Sequence, residues 1–144
     1  MTEEAARVKD ETIARGRKVY EERLRGRLEP EHTGRFVAVR LVAGAEVECL
    51  VDTGFSGALV LPQELVERLG LLVFGYEDRL EMVGGAETSA ALALAQIEWL
   101  GEVRSVAVIV KDDFLVGTQL LEDAELVIDY PKRTLTIAQA EEGA

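Results

Sequence analysis

The stretch Val51-Asp52-Thr53-Gly54-Phe55-Ser56-Gly57 constrains this chain more than any other. It follows Glu48-Cys49-Leu50-Val51, an apolar-ending run that reads as a strand, so a carboxylate stands at the mouth of a strand-to-loop turn where backbone can approach it. Gly54 can adopt positive φ and bring its amide to the Asp52 carboxylate, Thr53 offers a hydroxyl to a neighbouring loop, and Ser56 can donate or accept beside them. The arrangement suits a loop that holds one carboxyl group in a fixed orientation. Asp and Gly also abound in ordinary turns, so the flanks decide what the tripeptide means.

Those flanks are β-like. Residues 35–42 and 46–51 alternate as strands around Ala43-Gly44-Ala45, which reads as a hairpin turn. Residues 58–61 form a short buried strand, Pro62 opens a helix of a turn or two through residues 64–69, and Gly70 stops it. Residues 76–83 and 87–95 flank Val83-Gly84-Gly85-Ala86, giving a hairpin with a glycine tip. Residues 97–100 and 103–110 make a further hairpin around Gly101-Glu102. The pattern predicts an all-β core with one short helix.

At this point residues 36–71 resemble the retropepsin-like (clan AA) aspartic proteases, and most of all the small prokaryotic type whose motif reads Asp-Thr-Gly-Phe. A second landmark is similar to that family: Leu115, Val116 and Gly117, within residues 113–121, match its hydrophobic-hydrophobic-Gly signature. Residues 126–137 resemble its closing β-hairpin. The likeness runs in the right order over residues 34–139. It implies a closed β-barrel of the acid-protease fold at residues 34–144, with Asp52 catalytic and Thr53, Gly54 and Ser56 supporting the catalytic loop. It also implies a flap at Met82, Val83, Gly84 and Gly85 that closes over bound peptide, its backbone pairing with the substrate strand. Leu115, Val116 and Gly117 would pass beneath the catalytic loop. Thr118-Gln119 departs from relatives that carry an acidic residue near Gln119, so no role is carried over to that position.

Aspartic proteolysis needs one carboxylate to take a proton from water and a second, protonated, to polarise the scissile carbonyl. Two such groups about 3 Å apart share one proton because both cannot ionise cheaply. This chain has one Asp-Thr-Gly; Asp112, Asp113 and Asp129 lack the following Thr/Ser-Gly, and there is no room for a duplicated lobe. The resemblance therefore implies a C₂ homodimer with Asp52 of each copy on the axis, acting on a peptide or protein substrate. A binding module that grips extended peptides, or a regulatory partner, without efficient cleavage is the alternative.

Composition fits one domain: 144 residues, 48% hydrophobic, enough to remove roughly two thirds of the extended-chain surface. Residues 1–33 read as a charged helical extension and linker, with Val8, Ile13, Val19, Tyr20, Leu24 and Leu28 at loosely helical spacing and Glu21 four residues before Arg25. Gly16 and Gly26 weaken that helix, and residues 29–34 break it. Met1 to Arg35 holds 9 Lys/Arg against 8 Asp/Glu, and the remainder 7 against 19, so the β-domain carries all of the negative charge behind the net -11. That balance argues against nucleic acid, since phosphate binding needs a basic face. No run of about 18 apolar residues is present to span a bilayer, and the opening is acidic rather than basic and then apolar, so a cytoplasmic protein is expected. His32 has no metal-spaced partners, so neither a metal nor another cofactor is expected. The lone Cys49 reads as a buried structural thiol.

Overall fold

Alternation of apolar and polar side chains builds the strands. The computed structural model describes residues 23–28, 34–81 and 87–140. Within them the strands are β1 (Arg23–Leu28), β2 (Arg35–Leu41), β3 (Ala45–Val51), β4 (Leu59–Leu61), β5 (Leu72–Glu81), β6 (Glu87–Trp99), β7 (Glu102–Val110), β8 (Leu115–Val116), β9 (Ala124–Asp129) and β10 (Thr134–Gln139). In β2, Val37, Val39 and Leu41 face the core while Ala38 and Arg40 face out. Turn chemistry joins the strands as expected: Gly44 sits at φ 120° between β2 and β3. Leu100 (φ 50°) and Gly101 (φ 90°) make the two-residue link between β6 and β7, and two consecutive positive-φ residues give a turn whose twist matches its strands.

The strands form one sheet in the order β5-β6-β7-β4-β8-β3-β2-β1-β10-β9. It curls until β6 meets β2, where Leu41 pairs with Ile97 and Arg40 with Glu98, closing six strands (β6, β7, β4, β8, β3 and β2) into a barrel. Trp99, Ile97, Leu59, Leu61, Val108, Val116 and Cys49 are all 0% exposed inside it. Full burial of each large aliphatic side chain contributes about 1.5–3 kcal/mol. The single helix among the described residues, α1 (Gln63–Arg68), follows Pro62, buries Leu65 and Val66, and ends before Gly70 at φ 67°. Six residues are too few to hold a helix without such packing. Among the described residues no helix is long and apolar enough to cross a membrane.

The helical reading fails for the last part of the N-terminal extension. Arg23 to Leu28 is strand β1, paired to β2 on one side and to β10 on the other. Its true period is two: Arg23, Arg25 and Arg27 are exposed, while Leu24, Gly26 and Leu28 turn inward. Gly26 is what the sheet needs there, because a Cβ would strike the Phe36 carbonyl oxygen and lie 3.0 Å from the Leu135 side chain. Arg27 forks onto Glu48 of β3 at 2.7 and 2.9 Å and lies 4.7 Å over the Phe36 ring. The sheet thus includes Arg23–Leu28, upstream of the boundary expected at residue 34. Residues 1–22, the rest of the expected helix, lie outside the described residues, as do residues 29–33.

Candidate active site

The site is an arch over a buried strand. The two-residue strand β8 lies between β3 and β4, parallel to the first (Val51 beside Val116) and antiparallel to the second (Leu59 beside Val116). Since β3 and β8 run the same way, the chain leaving β3 at Asp52 must cross the end of β8 to return as β4. Residues 52–58 make that crossing, and Gly117 is the point they cross.

Backbone hydrogen bonds fasten the arch to what lies below. The Asp52 amide donates to the Val116 carbonyl at 2.8 Å, and Gly117 donates to Ala58 at 3.0 Å. Thr118 and Gln119, in the single 3-10 turn Thr118–Leu120, donate to the Phe55 and Gly57 carbonyls at 2.8 and 3.1 Å. A Cβ at Gly117 would collide with the Gly57 oxygen and the Phe55 ring, and would stand 2.6 Å from the Phe55 oxygen. Val116 and Gly117 thus lie in backbone hydrogen-bond contact with the Asp52 loop.

The arch presents Asp52 half-buried, its Oδ1 accepting the Gly54 amide at 2.9 Å. That bond ties one carboxylate oxygen to the arch. Positive φ is not the reason for glycine at 54, which is absent from the left-handed positions Gly44, Gly70 and Gly101. A Cβ at 54 would sit 3.3 Å from Oδ1, a tight contact with the carboxylate itself. Thr53 and Ser56 are exposed on the arch, and neither side chain hydrogen-bonds to Asp52 among the described residues.

Two other aspartates accept a backbone amide in the same way, away from the arch. Asp113 accepts the Phe114 amide at 2.9 Å, and Asp129 accepts the Lys132 amide at 3.1 Å. Among the described residues no group of three His, Cys, Asp or Glu side chains is placed to hold a metal ion. Cys49 is buried on β3, its thiol pushed up to about 12 by burial, with Asp113 and Glu48 adding to the effect. It is a packing residue, as expected. The hairpin of β5 and β6 pairs out to Glu81 opposite Glu87, as the glycine-tip pattern predicts. The tip itself, with Met82, Val83, Gly84 and Gly85, lies outside the described residues.

Two contributors had roles that were not legible in the sequence. Trp99 sends its indole N–H to the Leu120 carbonyl at 3.0 Å, tying the end of β6 to the turn after Gly117. Phe55 places its ring against Gly57 and Gly117. Trp99 carries no local signal, and Phe55, though part of the Asp-Thr-Gly-Phe pattern, has no local signal for its role, because each works through residues distant in sequence or through space left by glycine.

The family model of the aspartyl proteases matches residues 37–129, which span the Asp52 arch and the Gly117 loop together. Among solved structures, "EIAV protease complexed with the inhibitor HBY-793" is similar at 21% identity with a TM-score of 0.55, covering 69% of this chain and 98% of that chain. At that identity the likeness is one of fold. No curated protein matches the chain.

Proposed function

This chain belongs to the aspartyl protease family and has the retropepsin-like fold, and from that premise we propose that two copies meet at their Asp52 arches to form one endopeptidase. The observation that carries the reading is the single Asp-Thr-Gly whose carboxylate is oriented by the Gly54 amide on an arch with exposed Thr53. One such carboxylate cannot serve as both acid and base.

In the dimer the two Asp52 carboxyls share one proton. The ionised one takes a proton from a water molecule as that water attacks the scissile carbonyl carbon. The protonated one hydrogen-bonds to the carbonyl oxygen and stabilises the tetrahedral intermediate. Return of a proton to the amide nitrogen then breaks the C–N bond, giving a carboxylic acid and an amine. Thr53 of each copy braces the opposite arch, Gly54 orients each carboxylate, and Ser56 borders them. Met82, Val83, Gly84 and Gly85 close over the peptide. The pair titrates as a unit with two apparent pKa values. A cytoplasmic setting, expected from the sequence, belongs to the same proposal.

A second reading is favoured by β5, the edge strand of the sheet, where Leu72 (64%), Phe74 (53%) and Tyr76 (74%) are exposed. An apolar edge suits capture of an extended peptide by strand addition, with or without cleavage. One experiment separates the two: digestion of a mixed peptide library between about pH 4 and 7, read by mass spectrometry, for the wild type and Asp52→Asn at matched dimer concentration by sedimentation. Cuts made by the wild type alone support the endopeptidase. Folded dimers of both proteins that bind peptides and cut none would leave the strand-capture reading.

A further inference from the structure

Phe55 stands three residues from the carboxylate, and the expected support for the arch, Thr53 and Ser56, makes no bond to Asp52 within the chain. What holds the middle of the arch down is aromatic. A Cβ placed on Gly57 would lie 2.6 and 2.9 Å from the Phe55 ring atoms Cζ and Cε1, and the three heavy atoms nearest to it all belong to that ring. The other side of the ring reaches Gly117, where Cδ2 fills the place a Cβ would take. Neither glycine has the positive φ that would explain it by backbone conformation. Phe55 is also pinned at both ends of its peptide: its amide donates to the Asp52 carbonyl at 3.1 Å and its carbonyl accepts from Thr118 at 2.8 Å.

We infer that Phe55 is a positioning residue, its ring wedged into the space vacated by Gly57 and Gly117 so that the Asp52 arch is locked in register on the loop beneath. The locking of the arch is a packing claim about a single copy; its catalytic consequence rests on the endopeptidase reading. Gly57 and Gly117 then have different reasons to be glycine. At Gly57 the obstacle is a side chain, which substitution can remove. At Gly117 two of the three nearest atoms are the backbone oxygens of Phe55 and Gly57, which no substitution removes.

A double-mutant cycle reads this difference directly. Gly57→Ala is expected to lower the thermal midpoint in the wild-type background and to leave it unchanged in Phe55→Ala. Gly117→Ala is expected to lower it in both. Amide exchange at Thr118 and Gln119 is expected to quicken at least about tenfold in Phe55→Ala, since their acceptors lie on the loosened arch. A cost of Gly57→Ala that is equal in both backgrounds, or absent from both, overturns the wedge. If Phe55→Ala does not fold, Phe55→Leu, which shortens the ring's reach, is the second background, and partial relief of Gly57→Ala is then the expected result.

Turnover supplies the catalytic arm. Phe55→Ala is expected to lower kcat by roughly 10–100-fold with KM little changed, and Phe55→Leu to recover part of it, because misplacing a reacting group acts on the transition state. A rise in KM with kcat intact would make Phe55 a pocket wall instead and overturn its positioning role. If the wild type cleaves nothing, the endopeptidase reading fails by itself, while midpoints and exchange rates still decide whether the wedge exists.

Discussion

Asp52 and Asp129 each close an apolar strand run, each is half-buried, and each takes a backbone amide onto Oδ1, from Gly54 at 2.9 Å and from Lys132 at 3.1 Å. Their local chemistry is nearly the same. The difference lies underneath. Asp129 ends the outermost strand of the sheet, in a hairpin that returns directly to β10. Asp52 begins an arch that crosses a buried strand and is bonded to it at Val116, Gly117, Thr118 and Gln119. An aspartate that accepts the amide of a following residue is a common turn device. A second layer beneath it turns the device into a rigid mount.

The largest test of that contrast is catalytic. Asp52→Asn is expected to lower peptide turnover by roughly 10²–10⁴-fold, the usual scale of lost acid-base catalysis. Asp129→Asn is expected to leave turnover within about twofold, because it keeps an acceptor for the Lys132 amide. Equal losses in the two variants, measured at matched folded concentration, would erase the distinction between mount and turn.

The next test strikes the lower layer without touching the arch. Trp99→Phe keeps the ring in the core but leaves the Leu120 carbonyl without its indole donor. An unsatisfied buried acceptor costs about 1–3 kcal/mol, read as a lower midpoint in chemical denaturation. Turnover is expected to fall along with it; a stable, fully active Trp99→Phe would show that the arch does not depend on this support.

The smallest effect belongs to the outer side of β3, the strand that leads into Asp52. Arg27 bonds to Glu48 and holds its carboxyl below the usual value of 4.5. A depressed folded-state pKa adds stability above the unfolded value, and that stability is lost as pH falls through the folded one. Both side chains are about half exposed, so the contribution is of the order of 0–1 kcal/mol and screened by salt. Arg27→Gln is therefore expected to lower the thermal midpoint slightly near neutrality, with the gap to wild type closing below pH 4.5. A gap that widens on acidification would contradict the assignment.

Much of the scaffold was legible because its signals are local. Gly44, the Leu100-Gly101 link and Gly70 announce turns by the φ they permit, and alternation marks β2 and β3. The Asp52 arch and the Gly117 loop were legible as a pair, since both carry recognisable short patterns. Strand β1 was not. Its six residues alternate too briefly to outweigh the helical spacing of Val19, Tyr20, Leu24 and Leu28, and its strand state comes from β10, which lies at the opposite end of the described chain. Trp99 and Phe55 were missed for a related reason: a core tryptophan and a loop phenylalanine look alike whether they merely fill space or hold a particular neighbour.

The position of β1 bears on how the chain reaches its fold. Arg23 pairs with Ala138, so during synthesis β1 emerges long before one of its two partners. Until β10 arrives, one side of β1 offers bare amides and carbonyls to any passing chain. Pairings so distant in sequence form slowly. The three outward arginines at positions 23, 25 and 27 place a like-charged fence along that waiting edge, which discourages two nascent copies from zipping together. Residues that contribute little to the finished sheet thereby guard its assembly.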